Sequence, residues 1–378
     1  MSRIFGELSV ETFLARYWQK RPLLVRGAFD RDFPSFDEHD LAGLACESFA
    51  ESRLVQGRFP KNNWQPEHGP FEESRFSELP ESGWTLLVQD VEKHYPPLRA
   101  FMSHFDFLPS WRLDDLMISF AATGGSAGPH VDQYDVFLVQ ASGSKRWQIS
   151  ESFSPERLAD CPLDVLKTFS PEQAWDVHAG DMLYLPPNIA HHGVALDDGM
   201  TWSVGLRAPA AADLFSAMAE HVARLPGGGP RYTDPPLSAT IRSGELDSKS
   251  ARRAIDMLRD VLEDEAGFTT FMAQQLSHFG VAQEPVNPGP DLSPSELRNR
   301  IQQGQTLVTN PWTRMTWIES DSMAKLFAVG MCVRCSIELA VNLCNLDRPE
   351  VDPKFISAAD HEALCKLVNA GHLVFSDA

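Results

Sequence analysis

Residues 117–147 read MISFAATGGSAGPHVDQYDVFLVQASGSKRW, and this stretch decides the fold. A Gly-rich loop delivers His130-x-Asp132 onto an apolar strand. A tight turn follows, then a second strand that opens with Lys145. Side chains alternate faces along a strand with period two. His130, Asp132 and Tyr134 therefore point the same way. An imidazole and a carboxylate on one face make two thirds of a 2-His-1-carboxylate iron site. The third ligand must come from another strand.

Residues 180–195, GDMLYLPPNIAHHGVA, offer it. Met182 to Leu185 reads as a strand, Pro186 and Pro187 end it, and Asn188 suits the turn. His191 and His192 then enter the next strand, and either can supply the ligand. The separation from the first histidine is 191 − 130 = 61 residues, room for several strands of a barrel. His178 sits at a strand end before the turn at residues 179–181 and is read as no ligand. His68 has no partner at ligand spacing and is read as a surface-loop residue.

The chain has 378 residues, a net charge of −19 and a pI near 5.0. The length argues for two or three domains. So acidic a chain is a poor binder of nucleic acid and a natural partner for a basic protein. No basic-then-apolar leader precedes Arg16, and no apolar stretch approaches the ~20 residues of a membrane span. Six cysteines over this length are no disulfide framework. The expected location is the cytoplasm. Cys332-x-x-Cys335 sits in AVGMCVRCSIELAV, read as one amphipathic helix with small core cysteines, not as a zinc site.

Residues 11–19 and 40–51 read as helices, and residues 23–25, 53–56 and 84–88 as strands. The stretch 62–71 reads as a Pro- and Gly-punctuated connection. Asp90 to Phe105 reads as helical. Residues 151–172, rich in Ser, Pro and Asp, form an insertion within the sheet. Trp202 to Leu206 closes the barrel. Ala210 to Leu225 and Lys249 to Leu276 read as helices, separated by the linker Pro226 to Pro236. Ala282 to Leu292 is a second linker. The last part runs helix, strand at 314–318, helix, helix, and the ending GHLVF.

With these elements in place, the chain resembles the JmjC-type 2-oxoglutarate oxygenases, and within them the ribosomal oxygenases. The resemblance rests on FLARYWQKRPLLVRGAF, HGPF, WTLLVQDV, DDLMISF, GPHVDQYDVF, LYLPPNIAH and SVGLRAP, in this order along nearly the whole chain. It is strongest to the bacterial group that hydroxylates an arginine of a large-subunit ribosomal protein, the L-sixteen type. It implies a double-stranded β-helix (cupin/JmjC) over 1–209, a helical dimerisation region over 210–290 and a winged-helix-like domain over 291–378. It implies Fe(II) on His130, Asp132 and His191, with His191 preferred to His192. Lys145 would pair with the distal carboxylate of 2-oxoglutarate, Ser119 would assist, Thr201 would line the same pocket, and Tyr134 would face the substrate. The implied partners are a basic ribosomal protein and a second copy of the chain.

Lys145 departs from the arginine expected in the bacterial arginine hydroxylases and matches the histidine-hydroxylating relatives. The cosubstrate assignment survives, because lysine supplies the charge as a point donor. The target side chain stays open between arginine and histidine. Three ligands on one face would leave positions for the 2-oxo acid and O2. Competing readings are lysine demethylation, a zinc cupin, and a non-catalytic cupin-like binding module that docks on protein or RNA. Acidic residues in the last domain (Glu319, Asp321, Glu338, Asp347, Glu350, Asp352) argue against a nucleic-acid surface there.

Overall fold

The computed structural model describes residues 4–29, 33–236, 242–278, 283–345, 350–351, 353–357 and 359–376. Ala282, Asp347 and Asp352, named above, lie outside the described residues. The chain divides into two compact units, Met1–Ala208 and Pro209–Ala378.

The first unit opens with α1 (Val10–Arg16), capped by the Ser9 hydroxyl, which accepts from the Thr12 N–H. There follow β1 (Leu23–Val25), α2 (Glu38–Ala45), β2 (Ser52–Gln56), β3 (Gln65–His68), α3 (Glu73–Ser77) and β4 (Trp84–Val88). Next come α4 (Val91–His94), α5 (Pro96–Met102), β5 (Leu113–Ala121), β6 (His130–Val131), β7 (Val136–Gln140) and β8 (Ser144–Ser150). The unit ends with β9 (Gln173–His178), β10 (Met182–Leu185), β11 (Ala190–Ala195) and β12 (Gly199–Leu206). The expected connection at 62–71 thus contains an edge strand, β3, on which His68 is exposed.

The strands form an eight-stranded sheet, β1-β10-β7-β12-β5-β4-β2-β3, and a four-stranded sheet, β6-β11-β8-β9. Their pairings are antiparallel. Facing sheets of this order make the double-stranded β-helix expected from the sequence. Between them pack Val136, Leu138, Leu183 and Leu185 of one sheet with Trp147, Ile149 and Val177 of the other. These residues recur at every second position, so each strand presents one apolar face to the core. The segment 151–172 adds no strand to either sheet. It folds back on itself through the bridge Arg157↔Leu166, and the Leu166 N–H donates to the Pro129 carbonyl just before β6.

A buried polar knot ties the N-terminal segment to this barrel. Asp135 is fully buried and accepts from the Tyr184 hydroxyl at 2.6 Å, Arg112 Nη2 at 2.9 Å and Gln19 Nε2 at 3.1 Å. The Gln19 N–H donates to the Tyr184 hydroxyl, and the Arg112 guanidinium lies over the Trp18 ring. A buried carboxylate is tolerated where such donors satisfy it.

The second unit holds α6 (Ala211–Arg224), α7 (Ser248–Glu263), α8 (Glu265–His278), α9 (Pro294–Gln302) and β13 (Leu307–Thr309). It continues with β14 (Met315–Ser320), β15 (Met323–Ala328), β16 (Met331–Cys335), α10 (Ile337–Leu343), α11 (His361–Asn369) and β17 (Leu373–Phe375). The helix expected over 249–276 breaks at Asp264 into α7 and α8. β14, β15 and β16 form a meander, and β13 pairs with β17. The helix α8 is joined to this sheet: Thr316 Oγ1 donates to the Ala273 carbonyl and Gln274 Nε2 to the Gly330 carbonyl. The helical stretch and the C-terminal stretch therefore share one compact unit.

The cysteine pair requires a correction. Cys332 and Cys335 lie in β16, not in a helix. Val333 and Cys335 are buried while Cys332 and Arg334 are exposed, which is period-two alternation. The helix α10 starts only after Ser336, whose hydroxyl caps it by accepting from the Leu339 N–H. The short run VGMCVRC fits both periods, and pairing with β15 decides it.

The Asp135→Ala variant, which leaves Arg112 and Tyr184 without their shared acceptor, is expected to lose about 3–5 kcal/mol of unfolding free energy in the first unit. Urea unfolding measures this, and a loss below about 1 kcal/mol would show that the knot does not hold the N-terminal segment.

Candidate metal and cosubstrate site

The loop before β6 turns on Gly128, whose φ of +84° and crowding leave no room for a side chain. A Cβ there would come within 2.8 Å of Val165 and 2.9 Å of Trp64. The turn delivers His130 onto β6, directly opposite His191 of β11. Asp132 follows β6, and its carbonyl accepts from the Asn188 N–H at 2.9 Å. Asn188 holds the left-handed conformation at φ +65° after the two prolines.

The three side chains converge. His130 Nε2 lies 3.9 Å from Asp132 Oδ1, and His191 Nε2 lies 3.6 Å from Asp132 Oδ2. One ligand atom from each residue falls within 4.8 Å of the others, and among the described residues no other such cluster occurs. The Nδ1 atoms lie 2.9 Å and 3.0 Å from the carbonyls of Gly128 and Ile189. A carbonyl only accepts, so each Nδ1 carries a proton and each Nε2 is the atom turned toward the cluster. Burial, and then the neighbouring His130, push His191 down to about 4, which keeps it neutral at neutral pH. Two imidazoles and a carboxylate fit a divalent first-row metal.

His192 points the other way, as period two demands. It is buried between the rings of Phe59 and Phe169 and does not join the cluster. His178 is exposed and lines an open groove with Arg26, Asp176 and Asp181.

Lys145 shares the inward face of β8 with Trp147 and Ile149. Across on β11, Ala195 pairs with Lys145, Gly193 with Trp147, and His191 with Ile149. The interior is thus graded from the histidine level to the lysine level. Lys145 is 7% exposed, and burial pushes its ammonium down to about 8. Among the described residues no carboxylate lies within ion-pair reach of it. An ammonium so placed calls for an anion from outside the chain.

The facing sheet supplies hydroxyls. The register sets Thr201 between Ser119 and Gln140. Thr201 Oγ1 donates to Gln140 Oε1 at 3.1 Å, and Ser119 Oγ to the Thr201 carbonyl at 3.4 Å. Gln140 shares the inward face of β7 with Leu138. It is a site residue that sequence reasoning missed, and its one signal is an amide ending an apolar strand. Tyr134 is 42% exposed beside the cluster. Its phenol is pushed up by partial burial and then by the charges of Asp132, Asp115 and Asp114. Asp115 also went unread as a site residue.

Known proteins resemble this chain over nearly its whole length. Residues 100–214 match the family model of the JmjC domain. The chain is 34% identical over 371 residues to the ribosomal protein uL16 3-hydroxylase of Escherichia coli K12, covering 96% of each chain. It is also 34% identical over 280 residues to a probable ribosomal oxygenase of Haemophilus influenzae, covering 71% of this chain and 68% of that one. The structure of YcfD, a ribosomal oxygenase from E. coli, in complex with cobalt and 2-oxoglutarate superposes with a TM-score of 0.84 at 31% identity, covering 98% of this chain and 99% of that one. Among the described residues, no helix is long and apolar enough to cross a membrane. From likeness over nearly its whole length, the chain belongs to the JmjC-domain ribosomal oxygenases, a family of 2-oxoglutarate-dependent enzymes.

Proposed function

We propose that the chain hydroxylates an arginine of a large-subunit ribosomal protein of the uL16 type. The observation that carries this reading is the rim of the metal cluster, where exposed Tyr134 lies within reach of the charges of Asp132 and Asp115. A guanidinium suits such a rim, since it pairs with carboxylates and lies on aromatic faces. The E. coli relative is by name a uL16 3-hydroxylase, which supports the same target class. A net charge of −19 favours encounter with a basic protein.

In this reading His130, Asp132 and His191 would hold Fe(II). Bound iron and 2-oxoglutarate supply the oxidant from O2, with succinate and CO2 as by-products. The ammonium of Lys145 holds the distal carboxylate, Ser119 lends a hydroxyl, and Thr201 orders the wall through Gln140. Gly128 and Ile189 orient the imidazoles through their carbonyls. Tyr134 and the rim carboxylates position the target side chain. Lysine at 145 favours a second reading, hydroxylation of histidine. Exposed Ile255, Leu258 and Leu262 line one face of α7, and Phe215 is exposed on α6. We propose that they pair two copies of the chain.

Incubation of the protein with uL16 fragments, Fe(II) and 2-oxoglutarate is expected to add one oxygen to an arginine, read by tandem mass spectrometry. His130→Ala should give no gain while melting as the wild type does. Oxygen on histidine would move the assignment to the second reading, and no gain on any fragment would sink both.

The ammonium form of Lys145 is the one that holds a carboxylate. Affinity for 2-oxoglutarate should therefore be full below about pH 8 and fall as pH rises through that value, up to about tenfold per unit. Lys145→Arg keeps its charge and should stay flat. Anaerobic calorimetry on Co(II)-loaded protein checks this, and equal slopes for both proteins would remove Lys145 from the pocket. Light scattering should give twice the chain mass, and Leu258→Asp should halve it.

A further inference from the structure

Trp147 stands between the two ends of the seat described above, and nothing so far gives it a task. It occupies the middle position on the inward face of β8, two residues from Lys145 and two from Ile149, the partner of His191. Its ring centre lies 5.4 Å from Lys145 Nζ and 5.8 Å from the His191 ring. The indole is held from three directions. The β11 backbone approaches at Gly193, where a Cβ would come within 2.7 Å of the ring carbons Cη2 and Cζ3. Leu138 and Leu183 of the facing sheet pack in the same core cluster. Lys145 rests its ammonium over the ring, a cation–π contact in a dry interior. A 7% exposed ring fixed in this way cannot swing aside.

We infer that Trp147 sets the length of 2-oxo diacid that the barrel accepts, acting as the spacer between the metal cluster and Lys145. This rests on the reading of Lys145 as the partner of the distal carboxylate. A diacid anchored at both ends must match the gap that the ring maintains. The five-carbon acid fits it, a four-carbon acid falls short of the ammonium, and a six-carbon acid drives its carboxylate into the ammonium and the ring. A single methylene in a fixed pocket discriminates by about 10- to 200-fold. Gly193 belongs to the same device, because only a bare Cα lets the indole lie against β11.

The test is anaerobic calorimetry on Co(II)-loaded protein with oxaloacetate, 2-oxoglutarate and 2-oxoadipate. The wild type should prefer 2-oxoglutarate to either neighbour by about tenfold or more. Trp147→Phe and Trp147→Leu should shift the preference toward 2-oxoadipate by about tenfold. Gly193→Ala presses on the ring from β11 and should shift it toward oxaloacetate. Leu116→Ala loosens a buried position on the other face of β5 and should leave the ratios alone. Should Trp147→Leu fail to fold, Trp147→Phe keeps most of the volume, and Gly193→Ala probes the ring independently. Ratios within about twofold of wild type in the folded Trp147 and Gly193 variants, with Co(II) still bound, would overturn the inference. A wild-type protein that binds none of the three acids would instead defeat the cosubstrate reading on which it rests.

Discussion

The pairing of His130 with His191 across β6 and β11 is the constraint on which the site depends. A direct antiparallel pair places both imidazoles on one side at the closest cross-strand spacing. The same local device then orients each ring. The carbonyl two residues back, of Gly128 or of Ile189, takes the Nδ1 proton and turns Nε2 toward Asp132. The left-handed Asn188 clips the turn before β11 to Asp132, just past the end of β6. Backbone geometry thus fixes the direction of each ligand side chain, which is how a protein limits the reorganisation that binding requires.

Much of this was legible in the sequence. The pair His130-x-Asp132 marks the cluster, but strand alternation is not what joins it to Tyr134: β6 ends at Val131, and Asp132 and Tyr134 lie in the bend that leads to β7 in the other sheet. Apolar runs closed by Gly, Pro and Asn state where strands end. What stayed hidden depends on partners far along the chain. Gln140 matters because β12 aligns Thr201 against it, and no local pattern announces that register. Asp115 shares the face of β5 that carries Ser119, while its neighbour Asp114 turns the other way to pair with Arg207. The choice between His191 and His192 could not be made from residue types, since both stand in one strand; register alone aims one inward. The misplacement of Cys332 and Cys335 has the same origin. Seven residues, small or apolar except for Arg334, satisfy helix and strand alike, and hydrogen bonding to β15 settles the matter.

The electrostatics of the barrel run against those of the whole. A chain carrying 52 acidic and 33 basic residues keeps an ammonium deep inside, away from every ion pair given to its exposed lysines and arginines. Surface pairs such as Arg146 with Asp176 contribute little, because solvent screens them. The buried lysine is costly by comparison, and a dicarboxylate that enters the barrel offsets the cost.

The order of strands has a further consequence for synthesis. Strand β1 near the start is hydrogen-bonded to β10, and β5 waits for β12, so the sheet closes only through partners distant in the chain. A nascent polypeptide that has extruded His130 and Asp132 still lacks the strand that holds His191 and the one that seals the wall behind it. Such non-local pairing is slow and leaves edges bare in the meantime. The ribosome must therefore release residues up to about Leu206 before this chain can capture an ion in native geometry.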